Sequence, residues 1–386
     1  MTPQARVAAA IDVLEHILHG QPAEKTLTTW ARKNRYAGSK DRAAVRDLVF
    51  DALRQKRSFA HMGHAETGRG IMIGQTRLSG NDPSDIFTGE GYGPPALTAE
   101  EEVKPPPLAQ AEDGVRLDCP DWLLPMMCAS LGEAAEATLL ELRKRAPVFV
   151  RANTAKCSCD EAISALGRDD IDGRAHPLSP TAIEITKNPR KLRQSNAFLD
   201  GLVELQDAAS QAVVDMLVKA VPKGRVLDYC AGGGGKSLAM AAAGLDVSAH
   251  DADVDRMRDL PDRARRAGAV INTISKPSAT YDAVLCDVPC SGSGAWRRQP
   301  EAKWRLTAEV LAKLNETQDA ILDSAVELVQ EAGILAYATC SLLKEENDAR
   351  IGSFLQRHPM WTLRSRQQFT PLDGADGFFI ALLEKT

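Results

Sequence analysis

Apolar residues Val7, Ile11, Leu14 and Leu18, and again Val45, Leu48, Val49 and Ala52, recur at the spacing of a helix with one buried face, with Leu27 and Trp30 between the two runs. The chain is therefore predicted to open with an all-helical unit. Periodicity is lost over 81–107, where Pro83, Pro94, Pro95, Pro105, Pro106 and Pro107 punctuate a Gly- and Asp-rich stretch that reads as loop or linker. A boundary is expected near Pro107. A second helical pattern covers 119–145, after which an extended segment from 148, a helix over 159–166 and a strand over 182–185 describe a small α+β unit ending near Phe198.

Beyond residue 200, short apolar runs alternate with helical patterns. Strands are expected at 203–205, 225–228, 246–250, 283–287, 334–338 and 378–383, with helices over 207–219, 236–243, 254–267, 308–330 and 345–356. That alternation predicts a doubly wound α/β domain with a mostly parallel sheet, its ligand crevice beyond the carboxyl ends of the strands. Three domains follow: residues 1–107, helical with a linker; 118–200, small α+β; and 201–386, doubly wound.

The turn after the second of these strands reads Asp228-Tyr-Cys-Ala-Gly-Gly-Gly-Gly-Lys236. Four residues without a Cβ let the backbone bend sharply and approach a ligand closely. A P-loop would need glycine at position 230, which is Cys230, and a dinucleotide fingerprint starting at Gly232 would need glycine at 237, which is Ser237. What remains is a nucleoside pocket in which Asp251, at the end of the next strand, accepts hydrogen bonds from ribose hydroxyls, a role that Asp253 could share. S-adenosylmethionine fits such a pocket without needing a pyrophosphate.

Composition narrows the setting. The 386 residues are 44% hydrophobic and 26% charged, ordinary for a globular chain of two or three domains. The first helix carries Asp12, Glu15 and His16, too polar for a signal peptide or a membrane span, so a cytoplasmic location is expected. The eight cysteines are then expected to be reduced, and their spacings lack the paired C-x-x-C blocks of structural zinc sites, so no metal is expected. A net charge of −5 argues against generalised polyanion binding and leaves it to local patches: Arg143 to Arg145, 187–193, and Arg297, Arg298, Lys303 and Arg305.

Two thiols follow later strands of the sheet, Cys290 in Asp287-Val-Pro-Cys-Ser-Gly-Ser-Gly294 and Cys340 in Ala338-Thr-Cys-Ser341. Both are expected at the ligand edge, where a thiolate can act as a nucleophile. Pyrimidine carbon 5 becomes nucleophilic only when a group adds at carbon 6, and cysteine is suited to that addition. Cys286, Cys119 and Cys128 read instead as small buried hydrophobes.

These segments resemble the Sun-type (Fmu, or RsmB-like) RNA cytosine-5 methyltransferases. The glycine turn is similar to the family's cofactor motif. Asp287 to Gly294, followed by Arg297-Arg-Gln-Pro-Glu301 and Trp304, is similar to its release-cysteine motif, and Tyr337-Ala-Thr-Cys-Ser341 with Glu346-Asn347 to its nucleophile motif. The resemblance implies a seven-stranded Rossmann-like methyltransferase domain after a small RRM-like domain, and S-adenosyl-L-methionine as cofactor. It implies Cys340 as nucleophile on carbon 6, Cys290 as the residue needed for release, and Asp287 as a contact to base and cofactor. The cofactor would be held by Cys230, Ala231, Gly232, Gly233, Gly234, Gly235, Lys236, Asp251 and Asp287. Arg151, in Arg151-Ala-Asn153, would touch RNA, as would Arg297, Arg298 and Lys303, while Trp304 or Tyr337 could stack on the extruded base.

Gly38-Ser-Lys-Asp41-Arg42 and Leu48 to Arg54 resemble the NusB-related RNA-binding domain of the bacterial ribosomal members. That points to 16S ribosomal RNA of the small subunit as substrate of a monomeric enzyme, with transfer RNA, or an inactive RNA-binding ribosome assembly factor, as the alternatives. Two departures from the family pattern stand out: Gly233 occupies the place of a proline, and 272–280 lack the acid that faces the adenine.

Overall fold

The computed structural model describes residues 1–385, which form two compact units, Met1–Arg145 with Trp296–Arg305, and Ala146–Ala295 with the chain from Leu306 onward. Among the described residues no helix is long and apolar enough to cross a membrane.

The first unit is helical. Pro3–Leu18 starts where Thr2 accepts from the Ala5 amide and Pro3 supplies a preset φ. Ala23–Lys33, Ser39–Arg54, Lys56–Met62, Gly68–Leu78, Leu124–Leu131 and Ala135–Leu142 complete its principal helices. Val7, Val13, Leu14, Val45, Val49 and Ile71 fill its core. The stretch 81–107 is irregular apart from the short turns Pro83–Asp85 and Ala99–Glu102, but it is no free linker. Phe87 is buried in the same core, and Arg69 bonds the carbonyls of Pro95 and Ala96 and the carboxylate of Glu101. The excursion Trp296–Arg305 is held in this unit by the Trp304 indole, which donates to the Leu53 carbonyl at 2.7 Å, and by Arg54, which donates to the Arg297 carbonyl at 2.7 Å.

The second unit holds two sheets. β1 (Val148–Ala152), β2 (Gly173–Ala175), β3 (Ala182–Ile185) and β4 (Val203–Leu205) form an antiparallel sheet in the order β2-β3-β1-β4. The helix Cys159–Arg168 packs on it, opened by a Ser158/Glu161 capping box. Residues 203–205 were expected in the doubly wound sheet. They pair with β1 instead, Val150 opposite Leu205 and Ala152 opposite Val203, because hydrogen-bond register rather than nearness in sequence assigns a short strand.

The larger sheet has seven strands: β5 (Arg225–Asp228), β6 (Asp246–Ala249), β7 (Ile271–Thr273), β8 (Tyr281–Asp287), β9 (Val329–Thr339), β10 (Trp361–Phe369) and β11 (Phe378–Lys385). Their order is β10-β11-β9-β8-β5-β6-β7, parallel from β9 to β7 and antiparallel at β11 and β10. Its centre is apolar on both faces, as a covered parallel sheet requires. Val226, Leu285 and Ala336 pack toward the helices Ala208–Ala220 and Gly235–Ala242, while Leu227, Val284 and Tyr337 pack with residues of Ala308–Ala325 and Asp348–Arg357. The helix expected over 308–330 ends at Ala325, and β9 begins at Val329. The helix expected over 254–267 is a short turn, Val254–Met257, followed by Leu260–Ala267 with Pro261 in its first turn.

Candidate active site

Parallel register brings the chemistry to one edge. Asp228 ends β5, Asp287 ends β8 opposite Ala338 of β9, and Cys340 lies just beyond β9. Between β5 and its helix, Gly232 and Gly234 adopt φ of +51° and +77°. The second is the residue immediately before the helix Gly235–Ala242, and a Cβ there would lie 2.2 Å from Leu260, so position 234 admits only glycine.

The turn is tied to β6 by a buried acid. Asp251 accepts from the Gly232 amide at 2.8 Å and the Asp253 amide at 3.0 Å, and pairs with Arg256 at 3.2 Å. Its two oxygens offer about four acceptor sites, so capacity remains for a ribose hydroxyl. Arg256 is exposed and can move. Gly233 and Gly235 face open space apart from Arg263 and Gln206 side chains. A glycine turn beside a buried carboxylate with acceptor capacity fits an adenosyl group. Gly233, where the family pattern has proline, is held by its carbonyl, which accepts from Arg263.

Lys236 points from the helix to Asp287, with Nζ 2.6 Å from Oδ2 and 5.0 Å from the Phe378 ring centroid. Burial pulls the ammonium down, but the Asp287 charge and hydrogen bond outweigh it, so Lys236 titrates above its usual value and stays charged. Asp228, at the foot of the turn, accepts from Ser237 at 2.6 Å, and burial pushes its carboxyl up to about 7.

The two thiols meet. Cys290 Sγ lies 3.4 Å from Cys340 Sγ, both partly exposed. The hydrogen bond with Cys340 is the first cause, and burial the second, that push the Cys290 thiol well above its usual value. The loops carrying them are cross-bonded: the Gly294 amide donates to the Cys340 carbonyl at 2.9 Å, and the Leu342 amide donates to Ser293 Oγ at 2.7 Å. Cys230 is partly exposed in the glycine turn, and burial pushes its thiol far up, which makes it an inert neighbour. Cys286 and Cys119 are fully buried, as expected, whereas Cys128 is exposed.

Three of the cations expected to meet RNA are buried. Arg151 is 4% exposed, on β1 opposite Glu204; Arg297 is 1% exposed and faces Glu141; Lys303 is 3% exposed against the Arg54 carbonyl, and burial draws its ammonium down to about 8. Arg298 is half-buried. Arg151, Arg297 and Lys303 are thus enclosed by the fold, which corrects the expectation that they face RNA, while Arg298 keeps partial exposure. Tyr337 is likewise buried, its hydroxyl donating to the Glu346 carbonyl, and cannot stack on a base. Sequence reasoning gave no role to Glu346, Gln318, Ser291 or Ser341, which are buried around the thiol loops. The signal available was a serine directly after each cysteine.

This sheet, its glycine turn and the acid just beyond β6 define a Rossmann-like methyltransferase domain. Residues 215–384 match the family model described as 16S rRNA methyltransferase RsmB/F, and residues 119–190 match the ferredoxin-like domain of RsmF/B-like methyltransferases. The ribosomal RNA small subunit methyltransferase B of Photorhabdus laumondii is 32% identical over 285 residues, covering 69% of this chain and 66% of that protein. Its counterpart in Enterobacter sp. (strain 638) is 30% identical over 294 residues, covering 71% and 68%. The crystal structure of PH0851 superposes with a TM-score of 0.79 and 25% identity, covering 100% of this chain and 99% of that one. The chain belongs to the RsmB/F methyltransferase family, and spans about two thirds of the length of these curated relatives.

Proposed function

We propose that this protein methylates carbon 5 of a cytosine in RNA, and that the RNA is 16S ribosomal RNA of the small subunit. The observation that carries the reading is the pair of thiols, 3.4 Å apart at the carboxyl edge of the sheet that also carries the Lys236–Asp287 pair. The names of the curated relatives support the ribosomal substrate. S-adenosylmethionine, held by the turn 230–236 and by Asp251, supplies an electrophilic methyl group when bound. In this reading residues 1–107 form an RNA-binding helical domain, 118–200 an RRM-like one and 201–386 the catalytic one, in a monomeric cytoplasmic enzyme.

Cys340, as thiolate, forms a bond to carbon 6, and the ring electrons move to carbon 5. Asp287, fixed by Lys236, hydrogen-bonds the polar edge of the base. Once carbon 5 is methylated its proton must leave. Cys290, having lost its own proton to solvent, takes it; the carbon 5–carbon 6 double bond re-forms and Cys340 departs as thiolate. The hydrogen bond with Cys340, the first cause that holds the Cys290 proton, is lost once Cys340 bonds to carbon 6, which lets that proton leave and makes Cys290 an acceptor.

Incubating the full chain with S-adenosylmethionine and small-subunit ribosomal RNA should yield 5-methylcytosine, mapped by bisulfite sequencing. Cys340→Ala should abolish product. Cys290→Ala should accumulate a covalent protein–RNA adduct stable to denaturing electrophoresis. A Cys290→Ala protein that turns over normally, or a parent protein giving no methylated cytosine on free or assembling RNA, would overturn the reading.

A further inference from the structure

Glu346 is fully buried, and the hydrogen bonds it accepts come from neutral donors. Its Oε1 accepts from the Ser291 amide at 2.8 Å and from Gln318 Nε2 at 3.1 Å; its Oε2 accepts from the hydroxyls of both Ser291 and Ser341. Ser291 follows Cys290 and Ser341 follows Cys340. One carboxylate oxygen thus binds the immediate neighbour of each thiol. Gln318 extends the bracket by donating to the carbonyl of Pro289, the residue before Cys290, at 3.0 Å. The Glu346 carbonyl accepts from Tyr337 of β9, at 2.6 Å, which fixes the acid to the strand that leads into Cys340.

A carboxylate with no cation bonded to it is a costly element of a buried network unless each of its bonds is made. Packing alone would be served by an apolar side chain. The network instead ties together two loops separated by fifty residues, and its shared atom lies between them. We propose that Glu346 is a positioning residue that sets the separation and mutual orientation of the two thiols. This rests on the reading in which Cys340 attacks the base and Cys290 takes the carbon 5 proton, a reading that needs both sulfurs placed against one ring at once.

The test compares Glu346→Ala, Glu346→Gln and Ser341→Ala in the full chain. Glutamine can rebuild the bracket, its carbonyl accepting from the Ser291 amide and from Gln318 while its NH2 donates to the two serine oxygens. Two readouts apply: kcat and KM for RNA methylation, and the rate at which diamide, as two-electron oxidant, joins Cys290 to Cys340 as a disulfide, measured by peptide mass. Glu346→Ala should lower kcat about a hundredfold with KM within about threefold, the loss expected from misplacing reacting groups by about 1 Å. Its disulfide rate should fall about tenfold or more, while Glu346→Gln restores most of both and Ser341→Ala falls between them. Should Glu346→Ala fail to fold, the glutamine and serine variants carry the same ranking. Unchanged kcat and disulfide rate in both the folded Glu346 variants and Ser341→Ala would overturn the proposal. A parent protein that makes no 5-methylcytosine while the disulfide ranking holds would sink the cytosine reading and leave the spacing role of Glu346 standing.

Discussion

At the scale of single residues, Asp228 shows how the site constrains its own acids. Its Oδ1 is buried without a hydrogen bond among the described residues, its Oδ2 is held by Ser237, and burial raises the carboxyl from an ordinary 3.8 to about 7. The folded chain therefore binds this proton more tightly than the unfolded chain does. The stabilisation is complete below about 3.8, declines as pH rises toward about 7, and is absent above it. Asp228→Asn keeps an acceptor for Ser237 and removes the titration. Its stability relative to the parent should rise by a few kcal/mol between pH 4 and 7 and level off beyond, a trend that urea unfolding at a series of pH values would show. A relative stability flat with pH would place the proton elsewhere. The placement of Cys290, Cys340, Asp287 and Lys236 at one edge of the sheet was legible because each follows a strand that apolar runs reveal. Arg151 and Lys303 misled for the opposite reason. A basic side chain looks the same in sequence whether it faces water or, as here, Glu204 or the Arg54 carbonyl.

Between residue and molecule stand the loops that carry the thiols. After Cys290 the chain turns through Gly292, at φ +68°, and reaches Gly294, whose amide and carbonyl are both used: the amide on Cys340, the carbonyl accepting from Gly377 at 3.0 Å. A Cβ on Gly294 would lie 2.1 Å from the Gly377 carbonyl oxygen, so Gly294→Ala must push these loops apart. It should cost about 1–3 kcal/mol of stability, read as a lower melting temperature, and should weaken adduct formation by Cys290→Ala when the two changes are combined. An adduct yield and melting temperature equal to those of the single variant would show the contact to be slack. The central strands were readable as apolar runs, whereas β7 and β10 were not. β10, Trp-Thr-Leu-Arg-Ser-Arg-Gln-Gln-Phe, is an edge strand with one exposed face, and its polar run hides the alternation. The start of β9 was hidden too, because Val326 and Leu328 continue the apolar spacing of the preceding helix through a turn of three residues.

For the whole molecule the question is how a chain of net charge −5 would hold the RNA proposed for it, now that Arg151, Arg297 and Lys303 prove buried and the exposed Lys187 and Lys191 are paired with Asp170. Exposed cations free of acids occur in the helical unit. Lys25 and Arg32 lie on one face of Ala23–Lys33, seven residues apart, and Lys33, Arg35 and Lys40 follow; all are exposed, and among the described residues none of the five forms an ion pair. Tyr36, 74% exposed, stands among them and offers a ring on which an unpaired base can stack. The neighbouring acids are largely engaged elsewhere, Glu24 by Arg46 and Asp41 by Arg6 and the amino terminus. Replacing Lys25, Arg32, Arg35 and Lys40 together by alanine should weaken binding of small-subunit ribosomal RNA and reduce the slope of log affinity against log salt by roughly three, since each single-strand phosphate contact contributes about 0.7. The thiols are untouched by these changes, so kcat at saturating RNA should stay with the parent while KM rises. A slope that does not move would mean that phosphate is met by other groups, Arg265 of Leu260–Ala267 being next in line because, though paired with Asp262, it is 77% exposed.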